Sequence, residues 1–87
     1  MFSNPVVEIR RFIVENFLFG DESAMTGDKE SLIDNGILDS TGVLELVAFI
    51  EETYDFTMAD EEIIPANLDS VVRIAGFVMS KTVRQSA

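Results

Sequence analysis

Three stretches of this chain repeat apolar residues at helical spacing, and the best defined of them opens on an Asp-Ser pair. After Asp39-Ser40, the residues Val43, Leu46, Val47, Ile50 and Tyr54 recur on one face, the pattern of a helix with one side in a core. Asp and Ser both favour the N-cap, where a side-chain oxygen takes an amide that the first turn leaves unpaired. The spacing therefore predicts a helix from about Ser40 to Tyr54. A second stripe, Val6, Ile9, Ile13 and Phe17, follows Asn4-Pro5, a capping residue and a favourable first helical residue. Gly20 is expected to end that helix, and Phe12 and Phe19 to widen its apolar face. The third stripe, Leu68, Val71, Val72, Ala75, Val78 and Met79, has capping residues available from Asn67 to Ser70. It carries Lys81 and Arg84 toward the negative end of the helix dipole and is expected to fray after Val83. Close helix packing is the expected reason for Gly76, and Asp60 is expected to cap a very short helix through Ile64 that Pro65 stops. The fold expected is all-α: a small four-helix bundle of three longer helices and one short one, in a single domain over 1–87.

Between Gly20 and Leu38 the chain is polar and turn-rich, with Gly27 and Asn35-Gly36 as its clearest breakers. A connection this long between the first and second helices needs anchoring, and Leu32 and Ile33 are expected to tuck into the core, within a short helical turn from Asp28. Acidic residues around Gly36 invite a calcium-loop reading. With Gly36 at the sixth position, however, Ile33 falls third and Gly42 twelfth, where the loop needs an acidic side chain and a bidentate glutamate.

Composition narrows the chemistry. There is no cysteine and no histidine among the 87 residues, which removes disulfides, thiolate or imidazole metal sites and the usual general base. Catalysis by the chain alone is not expected, and a cytoplasmic setting is compatible with the missing cysteines. Arg10, Arg11 and Glu15 interrupt the first apolar run well before it reaches the length of a membrane span or a signal segment. The net charge of −10 is concentrated in residues 28–62, which hold eleven Asp or Glu and only Lys29. Such a surface repels nucleic acid and anionic lipid and steers basic partner surfaces toward it. On the helix from Ser40, Thr41, Leu44, Glu45, Ala48, Glu51 and Glu52 group on the side away from the core stripe, an apolar strip rimmed by carboxylates. Its composition suits weak docking of partners, the carboxylates contributing more to encounter rate than to affinity.

Asp39-Ser40, then Val43-Leu44-Glu45-Leu46-Val47 and Glu51-Glu52, resembles the acyl carrier protein family. The resemblance covers most of the chain, runs without a gap through Glu62, and is most specific from Asp39 to Glu62. It implies that Ser40 carries a 4′-phosphopantetheine arm, transferred from coenzyme A by a phosphopantetheinyl transferase, whose thiol holds acyl or aminoacyl cargo as a thioester. It also implies that Asp39 shapes the site and helps hold the transferase's metal. Partners implied are the transferase, a loading ligase or acyltransferase and downstream enzymes with basic docking patches, with the carrier itself a monomer. A phosphate on Ser40 would meet unpaired amides at the positive end of a helix dipole.

The sequence departs from the fatty-acid synthase type of carrier at three places. Thr41 stands where a leucine is usual, Gly42 where an acidic residue is usual, and Ala48 where a larger apolar residue is common; each is expected to thin the docking face. Asp34-Asn35-Gly36-x-Leu38-Asp39-Ser40-x-Gly42 is more similar to stand-alone carriers loaded by an AMP-forming ligase, of which the D-alanine carrier is one kind. Two other readings stay open. An acidic helical adaptor without a prosthetic group would use Ser40 only as a cap, and a hydrolase would need Lys29 or Lys81 as its base, neither in a recognisable catalytic spacing.

Overall fold

The protein is described by a computed structural model that places the backbone of residues 4–86 and the side chains of residues 4–82. Four α-helices form a small bundle: α1 (Pro5–Phe17), α2 (Ser40–Tyr54), α3 (Pro65–Leu68) and α4 (Val71–Ser86), with single 3-10 turns at Glu22–Ala24 and Asp60–Glu62. No strand occurs among the described residues, and none of their helices is long and apolar enough to cross a membrane. The hub is α4, which packs against α1, α3 and α2.

Each long helix starts where its capping chemistry directs. The Asn4 side chain accepts the Val6 amide at 2.9 Å ahead of Pro5, Asp39 caps α2, and the Ser70 hydroxyl accepts the Arg73 amide at 3.1 Å at the start of α4. The core is aliphatic: Ile9 and Ile13 from α1, Leu46, Val47 and Ile50 from α2, Leu68 from α3, and Val71, Ile74, Ala75 and Val78 from α4. Leu32 and Leu38 from the long loop and Phe56 and Met58 from the connection after α2 complete it. Beside this core, Phe12 stacks on Phe49 with ring centroids 4.1 Å apart, joining α1 to α2.

Several expectations are corrected. Val14, not only Ile9 and Ile13, is buried on α1, while Val6 and Phe17 are half-buried; the helix stops at Phe17, three residues before Gly20. Phe19 does not widen the apolar face: it turns out of the helix in the left-handed conformation and is exposed. Of the loop pair only Leu32 enters the core; Ile33, next along, points the other way and is exposed. Turns, not a helix, follow Asp28. The short helix lies later than expected, because Pro65 serves as its first residue, where a missing amide costs nothing, and Asp60 opens a 3-10 turn instead. On α4 the inward residues include Ile74, whereas Val72 and Met79 are about half exposed. An added Cβ at Gly76 would meet nothing within 4 Å, so close packing is not its reason. The helix continues to Ser86, and the Arg84 side chain lies outside the described residues.

Candidate functional site

Ser40 is the first residue of α2 and is exposed. Asp39 just before it has extended backbone angles; its carboxylate accepts the Gly42 amide at 2.7 Å and its carbonyl accepts the Val43 amide at 2.8 Å. Those two bonds satisfy the third and fourth amides of the helix. The first two, on Ser40 and Thr41, have no partner among the described residues, nor does the Ser40 hydroxyl. An anion held at Ser40 Oγ would therefore sit over free donors at the positive end of a 15-residue helix.

What fixes Ser40 in space is the segment leading to it. Leu38 is buried, and the Ile37 and Leu38 amides both donate to the Leu32 carbonyl, at 2.9 and 3.2 Å. Leu32 in turn is bound to the junction of α3 and α4: its amide donates to the Asp69 carbonyl at 2.7 Å. The Asp69 carboxylate accepts from the Ser31 hydroxyl at 2.7 Å and from the Ile33 amide at 2.9 Å. The Val72 amide adds a bond to the Asp28 carbonyl at 3.0 Å. Arg10 of α1 holds the first half of the loop, donating to the Thr26 carbonyl and to Asp28 at 3.0 and 2.8 Å. Asp69 and Arg10 are thus positioning residues that the sequence patterns did not single out.

The outer face of α2 divides in two. Thr41, Leu44, Glu45, Ala48 and Glu52 are exposed, Leu44 to 66%. Glu51 is half-buried, and its carboxylate accepts the Met58 amide at 2.8 Å, tying the chain after α2 back onto the helix. Glu51 and Glu52 also line a shallow cleft with Ala48, Asp55, Phe56 and Thr57 at the far end of the helix from Ser40. Gly42 does not belong to the outer face. It is buried, and a Cβ there would lie 3.2 Å from Asp39 Oδ1, 3.3 Å from Leu38 Cδ1 and 3.6 Å from Phe17 Cε1. Its small size lets the end of α1 approach the start of α2, so glycine here does not thin a docking face as the sequence comparison suggested.

Away from Ser40, Tyr54 and Lys81 are engaged structurally. The Tyr54 hydroxyl donates to Glu8 at 2.7 Å across the α1–α2 interface, and burial, then that bond and the carboxylate charge, push its pKa well above the ordinary value of 10.0. The Lys81 ammonium pairs with Glu62 and lies 5.5 Å from the Phe77 ring centroid. A separate cleft lined by Val7, Arg10, Val14, Gly20 and Asp28 contains no α2 residue in its wall. No group of His, Cys, Asp or Glu among the described residues is arranged to hold a metal ion. No family model matches the chain, and neither the curated proteins nor the solved structures contain a match to it.

Proposed function

We propose that the chain is an acyl carrier protein bearing 4′-phosphopantetheine on Ser40. The observation that carries this reading is the setting of Ser40: an exposed, unpartnered hydroxyl on the first residue of α2, beside two unpaired amides and next to an exposed, carboxylate-rimmed face. The arm, when attached, supplies the thiol that holds acyl or aminoacyl cargo as a thioester. Ser40 Oγ provides the attachment oxygen, and the amides and dipole of the first turn stabilise the phosphate charge. Asp39, already bound to the Gly42 amide, holds the turn in shape and presents its remaining lone pairs outward for the transferase's metal. Thr41, Leu44, Glu45, Ala48 and Glu52 dock partners through small apolar contacts inside a charged rim; Glu51 contributes charge while anchoring the following loop. Weak polar docking suits a carrier that each enzyme must release. The ligase-loaded, D-alanine-carrier-like kind is the subtype we favour, on the motif from Asp34 to Gly42, with a cytoplasmic setting.

Intact mass before and after incubation with coenzyme A, magnesium and a broad-specificity phosphopantetheinyl transferase tests the reading. Wild type is expected to gain one phosphopantetheine. Ser40→Ala is expected to gain none while remaining folded, within about 0.5 kcal/mol of wild type, as for an exposed residue without partners. An unchanged wild type beside a carrier modified in the same tube would refute it and favour the adaptor without a prosthetic group.

A further inference from the structure

Phe19 is 95% exposed and holds φ at 55°; the left-handed turn ends α1 and returns the Gly20 amide to the Val14 carbonyl at 2.8 Å, a task glycine performs at less cost, and the exposed ring adds nothing to it. The left-handed conformation crowds a Cβ against the backbone, which is why glycine is the usual residue just past a helix end. A phenyl ring that buries no surface returns nothing to the folded state for that crowding, and it leaves a large apolar group in water.

Phe19 also stands at the Ser40 end of the bundle. The contact between Phe17 and the Gly42 position joins the end of α1 to the start of α2. Phe19 lies two residues beyond one side of that contact and Ser40 two residues before the other. A footprint of ordinary size, about 800 Å² on each partner, spans both. Exposed acidic residues stand near both: Asp21 and Glu22 follow Phe19, Glu22 lying 3.6 Å from Arg10, and Asp39 and Glu45 bracket Ser40. That charge selects a basic counterpart and repels a second copy of this acidic chain.

Resting on the carrier reading of Ser40, we propose that Phe19 is a recognition anchor for the transferase that modifies Ser40, entering an apolar socket ringed by basic side chains on that enzyme. The strained backbone holds the ring outward in the free protein, so less conformational freedom is lost on docking.

Stability and recognition respond to Phe19→Gly in opposite directions. Glycine relieves the left-handed crowding, and Tm is expected to rise by about 4 °C. With coenzyme A, magnesium and a broad-specificity phosphopantetheinyl transferase, KM for the carrier is expected to rise about tenfold to a hundredfold, the worth of burying one aromatic ring, at unchanged kcat. Phe19→Leu, which keeps an apolar side chain, is expected to recover most of the KM. An unchanged KM in Phe19→Gly, with wild type readily modified, would overturn the anchor and leave the carrier reading intact. A fall in Tm would overturn it too, since the ring would then be supporting the fold. Sedimentation showing a wild-type dimer that Phe19→Gly dissolves would assign the ring to a second copy instead. Failure of wild type to be modified beside a working control carrier would remove the carrier reading, and the anchor with it.

Discussion

Replacing Asp69 by alanine removes the side-chain part of the tie between the long loop and the α3–α4 junction and leaves the backbone bonds of Leu32 and Val72. Two bonds to its carboxylate are lost: the half-buried one from the Ser31 hydroxyl at 2.7 Å and the exposed one from the Ile33 amide at 2.9 Å. A hydrogen bond to a charged group contributes about 1.5–3 kcal/mol. The Ile33 amide is open to water and recovers much of its share, so the net loss expected is about 2–3 kcal/mol. For a domain of this size that is a fall of about 10–20 °C in Tm. Asp69→Asn keeps a carbonyl acceptor for the Ile33 amide but gives up the charge, and is expected to cost about 1 kcal/mol. Urea denaturation measures the totals, and hydrogen exchange shows where they arise. Because Leu32 gathers the Ile37 and Leu38 amides on its carbonyl, the amides of Leu32, Ile37 and Leu38 should lose more protection than those of Leu46 and Ile50 in the α2 core. A stability within about 0.5 kcal/mol of wild type would refute the reasoning. So would a loss spread equally over loop and helix amides, which would make Asp69 a general contributor and not the fastening of the segment that leads to Ser40.

Tyr54→Phe is expected to cost about 1 kcal/mol at neutral pH through the lost bond to Glu8. Since the folded-state pKa of Tyr54 is raised, its contribution is full below the ordinary value of 10.0 and is lost as pH rises above it; denaturation at alkaline pH should fall more steeply for wild type than for the variant. Gly76→Ala, with open space for the methyl group, is expected to stabilise α4 by about 1 kcal/mol and to raise Tm by about 4–8 °C in calorimetry. Asp39→Ala is expected to cost about 1 kcal/mol in urea denaturation, by stranding the half-buried Gly42 amide, and Asp39→Ser to restore most of it.

Local chemistry was legible where it acts over one or two turns. Asn4, Asp39 and Ser70 start their helices by bonds to residues two or three positions away, and the stripe from Val43 to Ile50 needed only helical geometry. What stayed hidden depends on distant partners. The Ser31–Asp69 bond joins residues 38 apart, and no spacing rule connects them. On α4, apolar residues occur on more than one face, so the pattern alone favoured Val72 and Met79 and passed over Ile74; packing against α1 and α3 decides. Pro65 illustrates a different ambiguity, since proline both stops one helix and starts another, and the backbone on either side selects the role. At the candidate site, the exposed setting of Ser40 agrees with the sequence pattern, whereas the inward position of Gly42 and the engagement of Glu51 by Met58 emerge only from the packed chain.

The pairing of α1 with α4 has a consequence for biosynthesis. Ile9 and Ile13 lie in one core with Val71, Ile74 and Val78, so the first helix to be made finds much of its apolar partner surface in the last. Until α4 has left the ribosome, α1 has that face uncovered, and an isolated helix of 13 residues is marginal in water. Closing the loop between them spans most of the domain, so the folding step waits for α4 and is concerted. The acidic middle, made before α4, repels other copies of the chain during that interval.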